Sequence, residues 1–155
     1  MSTTPPPPFT PTQERFGSVV IKVMSAVNTW VYRLTGGRLG GRFPGGAPVL
    51  LLTTVGRKSG APRTAPLLYL ADGADVVVVA SKGGMSRHPV WYLNLEAQPR
   101  CEVEIGRTRR TMISRRVRDD EKATLWPRLC AMYPDYAGYQ ARTPRNIPVL
   151  RLTPA

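Results

Sequence analysis

The chain has 155 residues, the size of one domain whose core can fold without disulfides or a structural metal. Lys and Arg number 22 against 10 Asp and Glu, so the net charge is +12 and an anionic partner is expected. Apolar residues make up 42% of the chain, which excludes a fully disordered protein. The apolar runs reach about five or six residues, whereas a membrane-spanning helix needs roughly 20. The first residues lack the pattern of a secretory signal, so we expect a cytoplasmic protein.

Side chains suited to metal binding or nucleophilic catalysis are scarce. Cys101 and Cys130 lie apart without a C-x-x-C motif, and His88 is the only histidine. These three residues cannot supply the common tetrahedral zinc shells. A single histidine, followed directly by Pro89, also argues against a Ser-His or Cys-His hydrolase. We therefore expect no metal, and two ordinary thiols in a reducing compartment.

The N-terminal part of the chain divides into an arm and a helix. Residues 1–11 are too rich in proline for helix or sheet and predict a flexible, polyproline-like arm. Residues 12–34 carry apolar side chains at three- and four-residue spacing, which predicts an amphipathic helix at the start of a single domain, 12–155. Such a stripe usually covers a core. A basic helix with Trp30 and Tyr32 can also lie on a membrane surface, so membrane association stays open.

The rest of the chain alternates short strand-like runs with turns and helical segments. The predicted strands are residues 49–54, 64–71, 75–81, 101–105, 108–117 and 146–153, with hairpin turns at Asp72-Gly73 and Gly106. Helices are predicted at 90–97, from Asp119 with a kink or restart at Pro127, and at 133–142. Strands that meander through hairpins indicate an α+β fold, namely an antiparallel barrel with peripheral helices.

Two glycine-containing turns follow strands and carry basic side chains. The first is T-T-V-G-R-K-S-G at residues 53–60, and the second is A-S-K-G-G at residues 80–84. Glycine permits positive φ, so successive backbone N–H groups can converge on an anion, and Arg or Lys adds charged donors. One such turn could be a polar hairpin without function. Two of them in one small domain suggest a shared anionic ligand.

Two aromatic segments accompany these turns. In the segment H-P-V-W-Y-L-N-L at 88–95, Trp91 and Tyr92 could pack in the core or form the wall of a site for a planar ring. Tyr133, Tyr136 and Tyr139 are spaced three apart, which places them along one side of a short helix. They too could simply pack, or could form a wall that stacks and hydrogen-bonds.

Four segments in order resemble one family. L-L-T-T-V-G-R-K-S-G at 51–60, A-S-K-G-G at 80–84, P-V-W-Y-L-N-L at 89–95 and M-Y-P with the following tyrosines at 132–139 resemble the deazaflavin-dependent nitroreductases of actinobacteria. The resemblance covers about residues 16–152. Any one motif is weak, but four in order are specific. The resemblance implies a split antiparallel β-barrel of the flavin-reductase, FMN-binding-like type, with the deazaflavin coenzyme F420 as cofactor ahead of FMN.

The resemblance also assigns residues to the site. The basic turn would hold the phosphate and acidic tail of F420, and the other segments would line the deazaflavin and its ribityl chain. The residues implied in cofactor binding are Leu51, Leu52, Thr53, Arg57, Lys58, Ser59, Gly60, Ala61, Pro62, Val79, Ala80, Ser81, Lys82, Val90, Trp91, Tyr92, Leu93, Asn94 and Tyr136. The residues implied at the substrate pocket and the reacting centre are Ser81, Tyr133, Tyr136 and Tyr139.

The implied reaction is hydride transfer from C5 of the reduced deazaflavin to a quinone, a nitroaromatic compound or an activated enone. A proton for the acceptor would come from solvent, Ser81 or a tyrosine. One departure concerns the strand after the basic turn. The nitroimidazole-activating member has a tyrosine where Leu68 stands here, and Tyr69 comes one position later. A one-residue shift in a strand sends the side chain to the opposite face, so quinones or enones are the better expectation.

Two other functions fit the residues. A protein with the same pocket could carry or sequester F420 without turnover. A basic nucleic-acid-binding barrel would use the net charge, including seven arginines between residues 100 and 118, but the strands carry no RNA-binding aromatic motif. We therefore expect a planar small-molecule acceptor and no nucleic acid. Split barrels often dimerise, so a homodimer is an option.

Overall fold

The computed structural model describes residues 4–43 and 45–155. A short 3-10 turn covers Lys82–Gly84. The helices are α1 (Pro11–Thr35), α2 (Val90–Ala97), α3 (Asp119–Met132) and α4 (Asp135–Arg142). The strands are β1 (Val49–Val55), β2 (Pro62–Leu68), β3 (Leu70–Asp72), β4 (Asp75–Val79), β5 (Arg100–Ile105), β6 (Thr108–Arg116) and β7 (Val149–Pro154).

The seven strands form one antiparallel sheet in the order β2-β1-β5-β6-β7-β4-β3. The β3–β4 and β5–β6 hairpins turn at Gly73 and Gly106, whose φ angles of 63° and 61° explain why glycine stands at both turns. The sheet curls around an interior core, with β2 and β3 as its edges. Together with the helices outside the sheet, this confirms the predicted α+β split barrel with peripheral helices.

The period-two alternation of the strands separates two cores. Leu50 and Leu52 point into the barrel, where they pack with Val78, Met112 and Leu152. Helix α2 adds Trp91 and Leu95 to this interior cluster. A second cluster lies outside the barrel, where α3 and α4 cover strands β4 and β7. All residues in these clusters are nearly inaccessible to solvent, so burial of apolar surface in two layers stabilises the fold.

The expectation of one strand over residues 64–71 is wrong. The structure divides this stretch at Tyr69, because β2 pairs with β1 whereas β3 pairs with β4. Leu68 packs against the outer cluster, and Tyr69 packs against the interior one. The two side chains therefore lie on opposite sides of the sheet, and Tyr69 cannot occupy the place of a residue at position 68.

The predicted restart of the helix at Pro127 is wrong, and a kink there stays a prediction. Helix α3 runs through this residue without interruption, and α4 begins at Asp135 rather than at residue 133. Proline removes one donor from the helix and leaves the carbonyl of Ala123 without that partner. Both Ala123 and Pro127 are exposed, so water can satisfy the freed carbonyl.

Helix α1 turns its apolar stripe toward solvent. Val31 of the predicted stripe is half-buried, and Phe16, one turn before the stripe, is 73% exposed. The other residues of the stripe are 37% to 65% exposed, namely Val19, Val20, Val23, Met24, Val27, Trp30 and Leu34. Tyr32 is the buried residue of this helix. The opposite side is polar and is held at both ends: Ser86 N–H donates to Glu14 at 2.7 Å, and Arg33 pairs with Glu104 at 2.8 Å. The expectation that the stripe covers the core is therefore wrong.

The segment before α1 has no helix or strand in residues 4–10. Helix α1 starts at Pro11, one residue earlier than predicted, and a capping box formed by Thr10 and Gln13 closes its N-terminus. Residues 1–3 of the predicted arm lie outside the described residues, and the flexibility of the arm stays a prediction. Across the described ranges, no helix is long and apolar enough to cross a membrane.

Candidate active site

Both glycine-containing turns lie at the same end of the barrel. The antiparallel order from β1 through β5, β6 and β7 to β4 makes β1 and β4 run in the same direction. Their carboxyl ends, Val55 and Val79, therefore point toward the same end. The basic turn at 56–60 follows β1, and the turn at 81–84 follows β4. The topology thus places at the same end of the barrel two segments that are about 25 residues apart in sequence.

The basic turn presents two cations that have no carboxylate partner within the described ranges. Arg57, Lys58, Ser59 and Gly60 are exposed. The turn is held from below by Asn94 of α2, which is 1% exposed. The Arg57 N–H donates to Asn94 Oδ1 at 3.1 Å, and Asn94 Nδ2 donates to Thr54 Oγ1 at 3.0 Å. A rigid backbone with free guanidinium and ammonium groups suits a phosphate or a carboxylate.

The turn after β4 has an uncommon backbone. Lys82, Gly83 and Gly84 have φ angles of 44°, 64° and 79°, three positive values in a row. A lysine at positive φ is sterically strained, whereas glycine adopts this conformation without strain. A Cβ on Gly84 would lie 2.7 Å from the carbonyl oxygen of Tyr139, so only glycine lets α4 approach this closely. Burial lowers the pKa of the half-buried Lys82.

Three tyrosines form a cluster beside this turn. The hydroxyl groups of Tyr133 and Tyr139 are hydrogen-bonded at 2.9 Å, and the rings of Tyr133 and Tyr136 meet edge-on at 4.9 Å. Burial raises the pKa of both Tyr133 and Tyr136, and the hydrogen bond with Tyr139 raises that of Tyr133 further. These phenols therefore stay protonated at neutral pH. Phe43 packs edge-on against Tyr133 at 5.5 Å.

Helix α2 divides its residues between the core and the surface. Trp91 packs inside the barrel, which supports packing over a ring-wall role. Tyr92 is also buried there, and its hydroxyl contacts Glu96 and Arg116. Val90 is exposed and Leu93 is half-buried.

The remaining predicted residues also fall on different faces. Leu51 and Thr53 share the outer face of β1, where Leu51 packs with Tyr32. Leu52 and Ala80 point into the interior cluster, so only their backbone atoms can contact a ligand outside the barrel. Val79 belongs to the outer cluster near the tyrosines. Ala61 and Pro62 extend the basic turn into β2.

Two further residues of this region could not be recognised from the sequence. Phe43 lies in a glycine-rich loop, and its contact with Tyr133 depends on the packing of that loop. Arg145 follows α4 and donates to the carbonyl oxygens of Ala80 and Ser81 at 3.2 and 2.7 Å. Nothing in its sequence context distinguishes it from the other basic residues of the chain.

The described residues include no cluster of three or more His, Cys, Asp or Glu that could hold a metal ion. Cys101 is a buried free thiol, and Cys130 is a half-buried one. Burial raises the pKa of Cys101 to about 11, so this thiol is a poor nucleophile near neutral pH. The site thus offers cations, phenols and a hydroxyl for binding and for proton handling.

Comparison with known proteins identifies the family. A sequence model described as F420H(2)-dependent quinone reductase matches residues 24–154. The chain belongs to this family. An F420H(2)-dependent quinone reductase of Mycobacterium tuberculosis is 44% identical over 126 residues, which are 79% of this chain and 85% of the relative. The protein is therefore an oxidoreductase of the F420H(2)-dependent quinone reductase family.

Solved structures agree with this membership. A structure described as an F420-H2 dependent reductase is 38% identical, has a TM-score of 0.63, and is matched over 68% of this chain and 93% of that one. Another, described as a domain-swapped dimer, is 33% identical with a TM-score of 0.65, over 81% of this chain and 96% of that one. A haem storage protein from Vibrio cholerae, 15% identical with a TM-score of 0.53 over 69% of this chain and 81% of that one, shares the fold alone.

Proposed function

We propose that this family member transfers a hydride from reduced F420 to a quinone. The observation that carries the proposal is that the basic turn and the Ser81 turn lie at the same end of the barrel, with the tyrosine cluster against the Ser81 turn. The basic turn supplies charged donors for an anionic cofactor tail, and the tyrosines supply an aromatic, hydrogen-bonding wall for a planar acceptor. The family match and the F420-dependent relatives support the same reaction.

The residues present fit a cofactor with a phosphate and an acidic tail. Arg57 and Lys58 are exposed, and neither pairs with a carboxylate in the described ranges, so both can bind the tail. Asn94 keeps the backbone of the turn in one conformation through its hydrogen bond with Arg57. When bound, F420 supplies the hydride. The protein binds it and orients it.

The tyrosines act on the acceptor oxygen. Hydride transfer leaves negative charge on that oxygen, and a phenol O–H that points at it lowers the energy of the charged form. Because burial raises the pKa of Tyr133, this phenol keeps its proton at neutral pH and can donate a hydrogen bond. We infer that the net proton comes from solvent, with the hydroxyl of Ser81 or Tyr139 as relay. Ser81 is half-buried, so water can reach it.

The proposal is tested by titrating the protein with F420 and with FMN, and then by following F420H2 oxidation with quinone, nitroaromatic and enone acceptors. We expect F420 to bind more tightly than FMN and the quinone to be the best acceptor. Tight F420 binding without turnover on any acceptor would identify a carrier. Salt-sensitive RNA or DNA binding without F420 affinity would identify a nucleic-acid-binding protein.

The double variant Arg57→Ala/Lys58→Ala tests the basic turn. Each charged hydrogen bond contributes about 1.5 kcal/mol or more, so F420 affinity should fall roughly 100-fold at low salt. The matched control is Arg118→Ala/Arg128→Ala, which removes the same charge from arginines that pair with Asp120 and Asp72 instead. Equal affinity losses in both double variants would show that net charge, not this turn, attracts the cofactor.

We also infer that the apolar stripe of α1 lies on an anionic lipid surface. The stripe is wide and exposed, and Arg15 and Lys22, two helical turns apart, follow one border of it. The net charge of +12 favours anionic lipid over a second copy of the same basic chain. A quinone dissolved in lipid would then be close to the site.

Sedimentation with vesicles containing phosphatidylserine tests this contact. The wild type should sediment with them, and Val23→Asp/Val27→Asp should stay in solution, because both changes lie on the exposed stripe. Wild type that ignores vesicles but forms a dimer, which the same double variant dissociates, would assign the stripe to a second copy.

A further inference from the structure

We term residues 80–89, between β4 and α2, the β4–α2 loop. The Arg145 side chain donates hydrogen bonds to several carbonyl groups of this loop. Its Nη2 donates to Ser81 O at 2.7 Å, its Nε to Met85 O at 2.8 Å, and its Nη1 to Ala80 O at 3.2 Å. The same Nη1 lies 3.3 Å from His88 Nδ1. One guanidinium thus contacts four residues of a loop that lies about 60 positions earlier in the chain.

The loop needs this support because its own backbone is strained and sparsely bonded. Lys82 is the non-glycine residue of the described ranges with positive φ, and such a conformation costs on the order of 1 kcal/mol. Within the loop, the Gly84 N–H donates to Ser81 O at 2.9 Å and the Met85 N–H to Lys82 O at 3.1 Å. Arg145 binds the carbonyl groups of Ser81 and Met85, so it reinforces both ends of the turn.

The contacts also determine where the loop's N–H groups point. All peptides of the described residues are trans, so each N–H is opposed to the carbonyl of its own peptide unit. Because the Ala80 and Ser81 carbonyls face Arg145, the N–H groups of Ser81 and Lys82 face away from it. Removing the guanidinium would free both peptides to rotate, and with them the Ser81 hydroxyl and the Lys82 ammonium.

Arg145 is itself tied to the helix of the tyrosines. Gln140 Nε2 on α4 donates to the Arg145 carbonyl at 2.8 Å, and the Arg145 N–H donates to Thr143 Oγ1 at 3.4 Å. No carboxylate of the described residues pairs with its guanidinium. An arginine whose donors all go to one loop, without a charge partner, is placed to hold that loop rather than to neutralise an acid.

We propose that Arg145 is a positioning residue that holds Ser81 and Lys82 in register with the tyrosines of α4. The proposal rests on the proposed function, because Ser81 and Lys82 belong to that site. In this role Arg145 acts through the β4–α2 loop and not by direct contact with the cofactor or the acceptor. Its planar, five-donor guanidinium is required, since a lysine ammonium cannot reach all of these acceptors together.

The first test needs no cofactor. Amide hydrogen exchange is measured for the β4–α2 loop in the wild type, Arg145→Lys, Arg145→Ala and the control Arg128→Ala, which removes an arginine paired with Asp72. We expect exchange of the Gly84 and Met85 amides to be about tenfold faster in Arg145→Ala, intermediate in Arg145→Lys, and unchanged in the control. Unchanged exchange in both Arg145 variants would overturn the proposal.

The second test follows catalysis and rescue. In Arg145→Ala, kcat for F420H2 oxidation should fall about tenfold while F420 affinity changes less, because the basic turn still binds the tail. Added guanidinium ion should restore part of kcat in this variant and leave the wild type unaffected. If Arg145→Ala fails to fold, Arg145→Lys carries the same comparison of kcat with affinity.

The outcomes separate the two proposals. A wild type that neither binds F420 nor oxidises F420H2 refutes the proposed function, whatever the exchange data show. If the wild type is active and the Arg145 variants have the same kcat, the positioning role alone is refuted. The same conclusion follows if the variants lose stability but guanidinium ion does not restore their kcat.

Discussion

Asn94 connects α2, β1 and the basic turn, and its replacement by alanine has a calculable cost. The side chain is 1% exposed, accepts from the Arg57 N–H and donates to Thr54 Oγ1. The Asn94→Ala variant leaves the Thr54 oxygen without this donor in a buried site, which costs about 1 kcal/mol. The unpaired Arg57 N–H, which lies nearer to water, adds about 1 kcal/mol, and the lost side-chain volume about 1 kcal/mol more.

The expected loss in the free energy of unfolding is therefore about 3 kcal/mol, or roughly 6–12 °C in Tm for a domain of this size. Urea unfolding at pH 7 measures it, with Thr54→Val as the partner variant in a double-mutant cycle. The two changes remove one shared hydrogen bond, so the cycle should give a coupling energy of about 1 kcal/mol. Of these two side chains, Asn94 is the one that hydrogen-bonds to the Arg57 backbone, so Asn94→Ala should also weaken F420 binding, whereas Thr54→Val should not.

Two results would refute this reasoning. Additive costs in the cycle would mean that the hydrogen bond between Asn94 and Thr54 does not contribute to stability. A destabilised Asn94→Ala variant that binds F420 as tightly as the wild type would separate the basic turn from the cofactor site.

Three further predictions concern other parts of the molecule. Hydrogen bonds from Arg151 and Arg128 lower the pKa of Asp72, and hydrogen bonds from Arg115 and Arg151 lower the pKa of Glu121. The two ionised carboxylates therefore stabilise the fold fully above their ordinary pKa values of 3.8 and 4.5, and this stabilisation is lost as the pH falls below those values. Arg151→Met should therefore shrink the drop in Tm between neutral and acid pH, and Arg118→Met should not. Tyr133→Phe should lower kcat with a quinone about tenfold and leave F420 affinity unchanged. The control Tyr32→Phe loses the hydrogen bond that the Gly106 N–H donates to the Tyr32 hydroxyl, so it should lower stability only. A thiol reagent should modify Cys130 in the folded protein and Cys101 only after unfolding, because Cys101 is 4% exposed and its pKa is raised.

Local patterns were enough to predict most of the secondary structure and the fold class. Helix α2 has the predicted bounds, and the hairpins at Gly73 and Gly106 form where glycine permits positive φ. These features depend on neighbours in the chain, which is why spacing and residue type reveal them. The four ordered motifs were likewise sufficient to indicate the family.

Tertiary contacts decided what local patterns could not. Tyr69 ends one strand because β2 and β3 pair with different partners, and Pro127 remains inside α3 because its side of the helix faces water. Tertiary contacts also arrange the site. Leu51 and Leu52 pack on opposite faces of β1, and Arg145 hydrogen-bonds to a loop about 60 residues earlier in the chain.

The net charge of +12 and the apolar stripe of α1 show what the sequence determines and what the tertiary structure determines. The sequence by itself determined that the chain is basic, that residues near 12–34 are helical, and that one side of this helix is apolar. Only the tertiary structure decided that this side faces solvent, because Glu14, Tyr32 and Arg33 bind the rest of the protein through the polar side. Periodicity defines the faces of a helix, but contacts between distant residues determine which face is buried.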